Sequence, residues 1–192
     1  MRIADFYRNK IKYFTIRNET SIIKNYITKN GKSISLDLGC GKIPENIFLA
    51  EKAFGIDIVS SPSKDIFQCD LSREKIPFED STFNYVTARD LIEHIPRQIY
   101  INESLHFPFI HLMNEINRIL KPSGILYMNT PYYPNSEAFV DPTHVNFVTT
   151  ETFKKYFCEP LNYARRYGFS GKFILEKQYY SGDNLVTIMK KI

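Results

Sequence analysis

The run Asp37-Leu38-Gly39-Cys40-Gly41 constrains this chain more than any other stretch. It closes a short apolar segment, residues 33–38, and its two glycines impose an abrupt turn. A strand that runs into Gly-x-Gly can turn tightly and bring backbone against a ligand with no Cβ in the way. The same turn also serves as an ordinary strand-to-loop junction. Its meaning therefore rests on what the following strands carry.

Hydrophobic periodicity divides the rest of the chain. Residues 1–30 read as helix: Ile3, Tyr7, Ile11 and Phe14, then Ile22, Ile23, Tyr26 and Ile27, keep helical spacing, and Asn30-Gly31 is the stop. Strands are expected at 33–38, 53–58, 65–68, 83–87 and 125–129. A helix over 109–120 carries Phe109, Leu112, Met113, Ile116, Ile119 and Leu120 and ends at Lys121-Pro122-Ser123-Gly124. A short helix over 150–157 starts from Thr149 or Thr150. Segments 173–180 and 184–190 flank Ser181-Gly182-Asp183 and read as a closing hairpin. Strands alternating with helices and an antiparallel pair at the end define an α/β fold with a mostly parallel sheet. Ligands of such sheets sit outside the carboxyl ends of the strands, at the topological switch point. No repeat or flexible linker interrupts the 192 residues, so we expect a single domain over 1–192, with a helical cap at 1–32 and an α/β core at 33–192.

The strand ends then supply the chemistry. Asp57 closes the second strand 20 residues after Asp37, where a carboxylate can accept both hydrogen bonds of a ribose diol. Asp70 closes the third strand. It either caps the next turn or accepts from an exocyclic amine while the next backbone N–H meets a ring nitrogen. Turn, ribose acid and adenine acid, in that order, describe a nucleoside-shaped pocket. A dinucleotide is disfavoured, because Pro44 replaces the third glycine of GxGxxG and no glycine follows before Gly55.

These pieces resemble the class I S-adenosylmethionine-dependent methyltransferases. LDLGCGK (residues 36–42), FGIDIV (54–59), QCDL (68–71), IPFEDSTFNYV (76–86), DLIEHI (90–95), EINRILKPSGILYMNTP (115–131) and DPTHVNFVTTETF (141–153) match in order over roughly residues 33–160. The resemblance is to a compact branch associated with small-molecule, lipid or glycan pathways. It implies a Rossmann-like fold: a mostly parallel seven-stranded sheet ending in an antiparallel hairpin, with helices on both faces. It implies S-adenosylmethionine as cofactor, with Asp37, Gly39 and Gly41 at its methionine end. Asp57 then takes the ribose, Asp70 and Leu71 the adenine, and Ala88 and Arg89 lie beneath the sulfonium. The chain departs from the family where a third glycine is usual, at Ile43. Only 13 residues separate Gly41 from Gly55, too few for a full crossover helix with both its loops.

Methyl transfer from a sulfonium is an in-line displacement, which an enzyme serves by positioning the acceptor and excluding water. A base is needed where the nucleophile must lose a proton early. His144, in Asp141-Pro142-Thr143-His144, is the candidate base or acceptor-orienting residue, and His94 the second. Tyr132, Tyr133 and Asp141 are counted on the acceptor side. His106 and His111 read as solvent-facing or structural. No metal is expected, since neither His-x-His nor HExxH spacing occurs. Asn129-Thr130-Pro131-Tyr132 looks like an amine-methylation motif, but it follows the fifth strand instead of the fourth.

Composition sets the remaining bounds. Net charge is +4, yet residues 1–32 carry eight Lys/Arg against Asp5 and Glu19, giving +6 there and −2 elsewhere. That basic cap points to an anionic small-molecule, lipid-linked or glycan acceptor. The alternatives are an RNA or DNA methyltransferase using the cap on phosphates, and a catalytically silent S-adenosylmethionine-binding scaffold. Nucleic acid is disfavoured because the charges are spread along helical turns. Three cysteines without CxxC spacing fit a reducing compartment. No apolar run reaches the roughly 18 residues of a membrane span, and the N-terminus lacks a signal-type core, so a cytoplasmic protein is expected.

Overall fold

The computed structural model describes residues 20–27 and 32–192. Seven strands form one sheet: β1 (Ile34–Leu38), β2 (Lys52–Asp57), β3 (Ile66–Gln68), β4 (Phe83–Arg89), β7 (Leu120–Pro131), β8 (Phe173–Ser181) and β9 (Asn184–Lys191). Their order is β3-β2-β1-β4-β7-β9-β8. The first five strands in that order are parallel, and β9 joins β7 and β8 antiparallel. This is the expected Rossmann-like arrangement with its closing hairpin. A separate antiparallel pair, β5 (Ile99–Ile101) and β6 (Ser104–His106), lies outside the sheet. Beyond the N-terminal helical stretch, the α-helices among the described residues are α1 (Pro108–Ile119), α2 (Glu137–Val140) and α3 (Thr150–Tyr156). No helix among the described residues is long and apolar enough to cross a membrane.

Alternation along the central strands builds a core on each face. Leu36, Leu38, Phe83, Val86, Leu126 and Met128 face Leu112, Met113, Ile116 and Ile119 of α1 and Phe153 of α3 in one buried cluster. Tyr85, Tyr127, Val186 and Ile188 turn to the other face, where they meet Ile23, Phe48 and Ala50. Phe48 stacks on Tyr85 with ring centroids 4.3 Å apart. That second face lacks a crossover helix between β1 and β2, as the short spacing required. Asn46 folds the connection on itself instead: its amide donates to the Ala50 carbonyl and its Oδ1 accepts the Ala50 N–H, both at 2.8 Å. Ile22, Tyr26 and Ile27 of the N-terminal segment complete the cover.

The structure corrects three expectations. The N-terminal helical stretch ends at Tyr26, because Ile27 is already extended at ψ 122°; residues 1–19 and 28–31 lie outside the described residues. β7 begins at Leu120, so the Pro-Ser-Gly stop falls inside a bulged strand, with Ser123 at φ 64°. The β5–β6 hairpin was not expected at all. Its turn uses Asn102 and Glu103 at φ 48° and 64°, without the glycine that usually signals such a turn.

α1 also fixes the loop that precedes β4. Arg118 donates to the Ile76 and Phe78 carbonyls and pairs with Asp80 and Glu115, while Glu115 accepts the Ile76 N–H at 2.9 Å. α3 starts from a capping box: Thr149 accepts the Glu151 N–H, and the Thr149 N–H donates to Thr152 Oγ1 at 2.9 Å. Thr149→Ala should lower unfolding free energy by about 1 kcal/mol, read as a lower denaturant midpoint at unchanged slope.

Candidate functional site

The strand order reverses at β1, which lies between β2 and β4. Asp37 stands there, only 5% exposed. Thr87, its register partner on β4, donates to Oδ1 at 2.6 Å, and the Glu45 N–H donates to Oδ2 at 2.8 Å. Burial pushes the Asp37 carboxyl up to about 6, and these two donors hold it from rising further. Beyond it the chain turns through Gly39 and Gly41, both left-handed at φ 71° and 59°. The Gly39 and Cys40 N–H groups both donate to the Ile56 carbonyl, at 2.8 and 3.0 Å, which seats the turn on β2. A Cβ on Gly41 would meet no atom within 4 Å, so the turn's outer face is open.

Asp57 closes β2 and accepts the Gly41 N–H at 2.8 Å and the Val59 N–H at 2.9 Å. Each carboxylate oxygen keeps a lone pair for a ligand hydroxyl. The Cys69 N–H donates to the Asp57 carbonyl at 3.0 Å, bringing the end of β3 alongside. Asp70 caps the next turn, the plainer of its two readings: it accepts the Ser72 N–H at 3.0 Å and pairs with Arg73 at 2.7 Å. The Leu71 side chain is buried in the core. Ala88, opposite Leu38, is fully buried, and Arg89 reaches Glu45 at 2.8 Å across the mouth of the turn. The structure thus gathers Asp37, Gly39, Gly41, Asp57, Ala88 and Arg89 around one switch point, with Asp70 and Leu71 one strand away.

The loops after β4 and β7 enclose a cavity of about 550 Å³ whose lining includes Asp90, Glu93, His94, Asp141, His144 and Asp183. Glu93 and His94 lie on a single 3-10 turn, Ile92–His94. The loop bearing His144 is strapped to that turn, because the Val145 and Asn146 N–H groups donate to the Glu93 carbonyl at 2.8 and 3.0 Å. The two imidazoles meet edge to face, centroids 4.8 Å apart. Their tautomers follow from their partners. The Ala138 carbonyl can only accept, so His144 carries its proton on Nδ1, 3.1 Å away. Thr143 donates its one hydroxyl proton to Asp141 at 2.7 Å and so accepts from His94 Nδ1 at 3.0 Å. Both rings therefore keep Nε2 as a lone-pair site.

Two expected acceptor-side residues stand elsewhere. Tyr132 stacks on Tyr180 at 4.7 Å, and Tyr133 meets Phe139 edge-on. Neither lines the cavity, because Tyr132 joins an isolated bridge to Val148 that draws it sideways. Asp141 does line it. Sequence reading passed over Thr87, Glu45 and Glu93. Glu93 had a signal, its place beside His94 directly after a strand end. Its side chain is 2% exposed, with Oε2 accepting from Thr130 at 2.7 Å and burial raising its carboxyl. His106 is exposed on β6, and His111 on α1 donates through Nε2 to the Glu74 carbonyl.

Residues 10–166 match the family model of a methyltransferase domain. No curated protein sequence matches the chain. Among solved structures, an S-adenosylmethionine-dependent methyltransferase from Mesorhizobium loti is similar at TM-score 0.56 and 14% identity, over 89% of this chain and 96% of that one. A Burkholderia thailandensis 1,6-didemethyltoxoflavin-N1-methyltransferase, solved with its substrate and S-adenosylhomocysteine, is similar at TM-score 0.56 and 13% identity, over 92% and 78%. The cyclase SpnF is similar at TM-score 0.57 and 15% identity, over 91% and 80%. At these identities the likeness is one of fold.

Close packing under the turn yields a test of its role. A Cβ on Gly55 would lie 2.4 Å from Cys40 Sγ and 2.8 Å from Pro44 Cγ. Gly55→Ala should therefore cost about 1–3 kcal/mol of stability by pushing the turn off β2, measured by chemical denaturation. A neutral result would show that the turn is not seated as described.

Proposed function

This chain belongs to the methyltransferase domain family, and we propose that it moves the methyl group of S-adenosylmethionine onto a small-molecule, lipid- or glycan-type acceptor. The observation that carries the cofactor half is the Asp57 carboxylate, fixed by the Gly41 N–H at the open face of the switch-point turn. On this reading residues 33–192 hold the cofactor, in one cytoplasmic domain. The three cysteines are unpaired, as a reducing compartment requires.

Each residue then has a role. Asp57 accepts from the ribose hydroxyls. Asp37, Gly39 and Gly41 take the methionine end, where an ionised Asp37 attracts the cofactor's ammonium group. Ala88 and Arg89 form the floor beneath the sulfonium. Asp70 and Leu71 read the adenine edge. Each Asp70 oxygen has one partner and keeps a second lone pair; if Arg73 has to move aside, its side chain is 66% exposed, so the exchange costs at most about 1 kcal/mol. The methyl donor then faces the cavity of His94 and His144. His144 Nε2 receives the acceptor's proton or orients its nucleophilic atom, with His94 beside it.

The cavity refines the acceptor. Asp90, Glu93, Glu137, Asp141 and Asp183 line it, so carboxylates dominate its rim. An anionic acceptor, the expectation drawn from the basic cap, meets repulsion there. A neutral acceptor rich in hydroxyl groups, or a cationic one, fits better. The same rim disfavours a polynucleotide, whose phosphates need cationic partners.

Calorimetry tests the cofactor assignment. The protein should bind S-adenosylmethionine, and Asp57→Ala should weaken binding at least tenfold; no binding at millimolar cofactor would overturn the reading. Affinity should rise from roughly pH 5 to pH 7 as Asp37 loses its proton near 6, and Asp37→Asn should flatten that rise. For the acceptor side, labelled methyl is followed into extracts of the native cell. His144→Ala should cut incorporation at least tenfold while cofactor affinity holds; unchanged incorporation would return His144 to a structural role.

A further inference from the structure

We infer that Glu93, His94 and His144 form a binding site for a divalent first-row transition metal of the zinc type. One ligand atom from each of these residues lies within 4.8 Å of the others. A tetrahedral ion with bonds near 2.0–2.1 Å holds its ligands about 3.3–3.5 Å apart, so binding would draw the three ligand atoms closer together. Spacing motifs did not reveal the site because His94 and His144 are 50 residues apart. The backbone strap from residues 145 and 146 to the Glu93 carbonyl brings them together.

Three observations point to a cation in particular. Glu93 Oε1 is buried and has no hydrogen-bond partner among the described residues. A carboxylate oxygen in that position is costly unless a donor or cation reaches it. Its companion Oε2 is held by Thr130, so the carboxylate is aimed. Next, both imidazoles spend Nδ1 on a fixed partner and so present Nε2. One partner is a backbone carbonyl, and the other is a threonine relayed to the Asp141 carboxylate. Metal-ligating histidines are oriented by this kind of outer partner. Last, the donor set is two imidazoles and one carboxylate, which favours zinc and its neighbours over magnesium or calcium.

Three protein ligands leave a fourth position, and the lining groups place it toward the cavity of about 550 Å³. Water fills that position when the cavity is empty. Resting on the methyl-transfer reading, an acceptor hydroxyl would replace the water and, made more acidic by the ion, would lose its proton to solvent; its oxygen would then form the C–O bond to the methyl carbon as the C–S bond breaks and S-adenosylhomocysteine leaves. With the ion bound, the His144 lone pair is taken and the residue serves as ligand in place of base. Metal binding itself does not depend on that reading.

The test uses the full chain, stripped with a chelator, desalted and titrated with Zn²⁺ or Co²⁺. We expect one ion per chain by elemental analysis, a tetrahedral Co²⁺ absorption spectrum and a raised melting temperature with Zn²⁺. His144→Ala and Glu93→Gln should each weaken binding at least tenfold, and Thr143→Val, which cuts the relay to Asp141, about tenfold. His106→Ala, on the exposed hairpin, should leave binding unchanged. Glu93→Gln keeps an acceptor for Thr130; if it still fails to fold, His144→Ala on the surface loop decides. Substoichiometric binding, or binding indifferent to His144→Ala, would overturn the site. Cofactor calorimetry on the same stripped protein separates the two readings. Cofactor binding with no metal binding removes the metal site alone, and metal binding with no cofactor binding removes the methyl-transfer reading alone.

Discussion

A buried carboxylate governs the architecture of this chain. Asp37 occupies the strand end where an apolar residue would be easier to bury, and it is kept there by the Thr87 hydroxyl and the Glu45 N–H. Those two donors come from β4 and from the β1–β2 connection. Satisfying one side chain therefore fixes how three segments meet at the switch point. The glycine turn must leave the sheet above that carboxylate without covering it, and the Ile56 carbonyl holds it in place through two N–H groups. With no room for a crossover helix, Phe48 and the N-terminal segment cover the face that such a helix would fill. The open crevice is thus a consequence of the packing below it.

What was legible in the sequence is what is local. Asp37, the two turn glycines and Asp57 declare themselves because each sits at the end of a short apolar run, and parallel pairing sets those ends side by side. Thr149 was readable as a cap for the same reason. The β5–β6 hairpin was not, because Asn102-Glu103 lacks the glycine by which a tight turn is recognised. The start of β7 was hidden by a Pro-Ser-Gly run that normally ends structure and here only bulges it. Asp70 shows the limit of motif reading: its carboxylate caps the turn through Ser72 and pairs with Arg73, which the spacing of acids along the chain does not reveal. The grouping of Glu93, His94 and His144 was the least legible, since it depends on one loop docking to the backbone of another.

Fold and reaction separate at this point. The cyclase SpnF shares the architecture about as well as the methyltransferases do, so the sheet alone does not specify a chemistry. The family match supplies methyl transfer, and on the proposed reading the strand ends hold the nucleoside. On the same reading the acceptor chemistry comes from the loops after β4 and β7, where the chain is least constrained by the sheet.

Those loops place carboxylates and imidazoles around one cavity, and that mixture carries its own argument. Of the carboxylates that line the cavity, Asp90, Glu137, Asp141 and Asp183 are exposed to water, and Glu93 alone is buried. The protein answers part of this negative charge with hydrogen bonds: Thr143 on Asp141, Asn184 on Asp90 and Thr130 on Glu93. Glu93 Oε1 is the atom left over, and one carboxylate oxygen of Glu93 lies within 4.8 Å of a ring nitrogen on each of the two imidazoles.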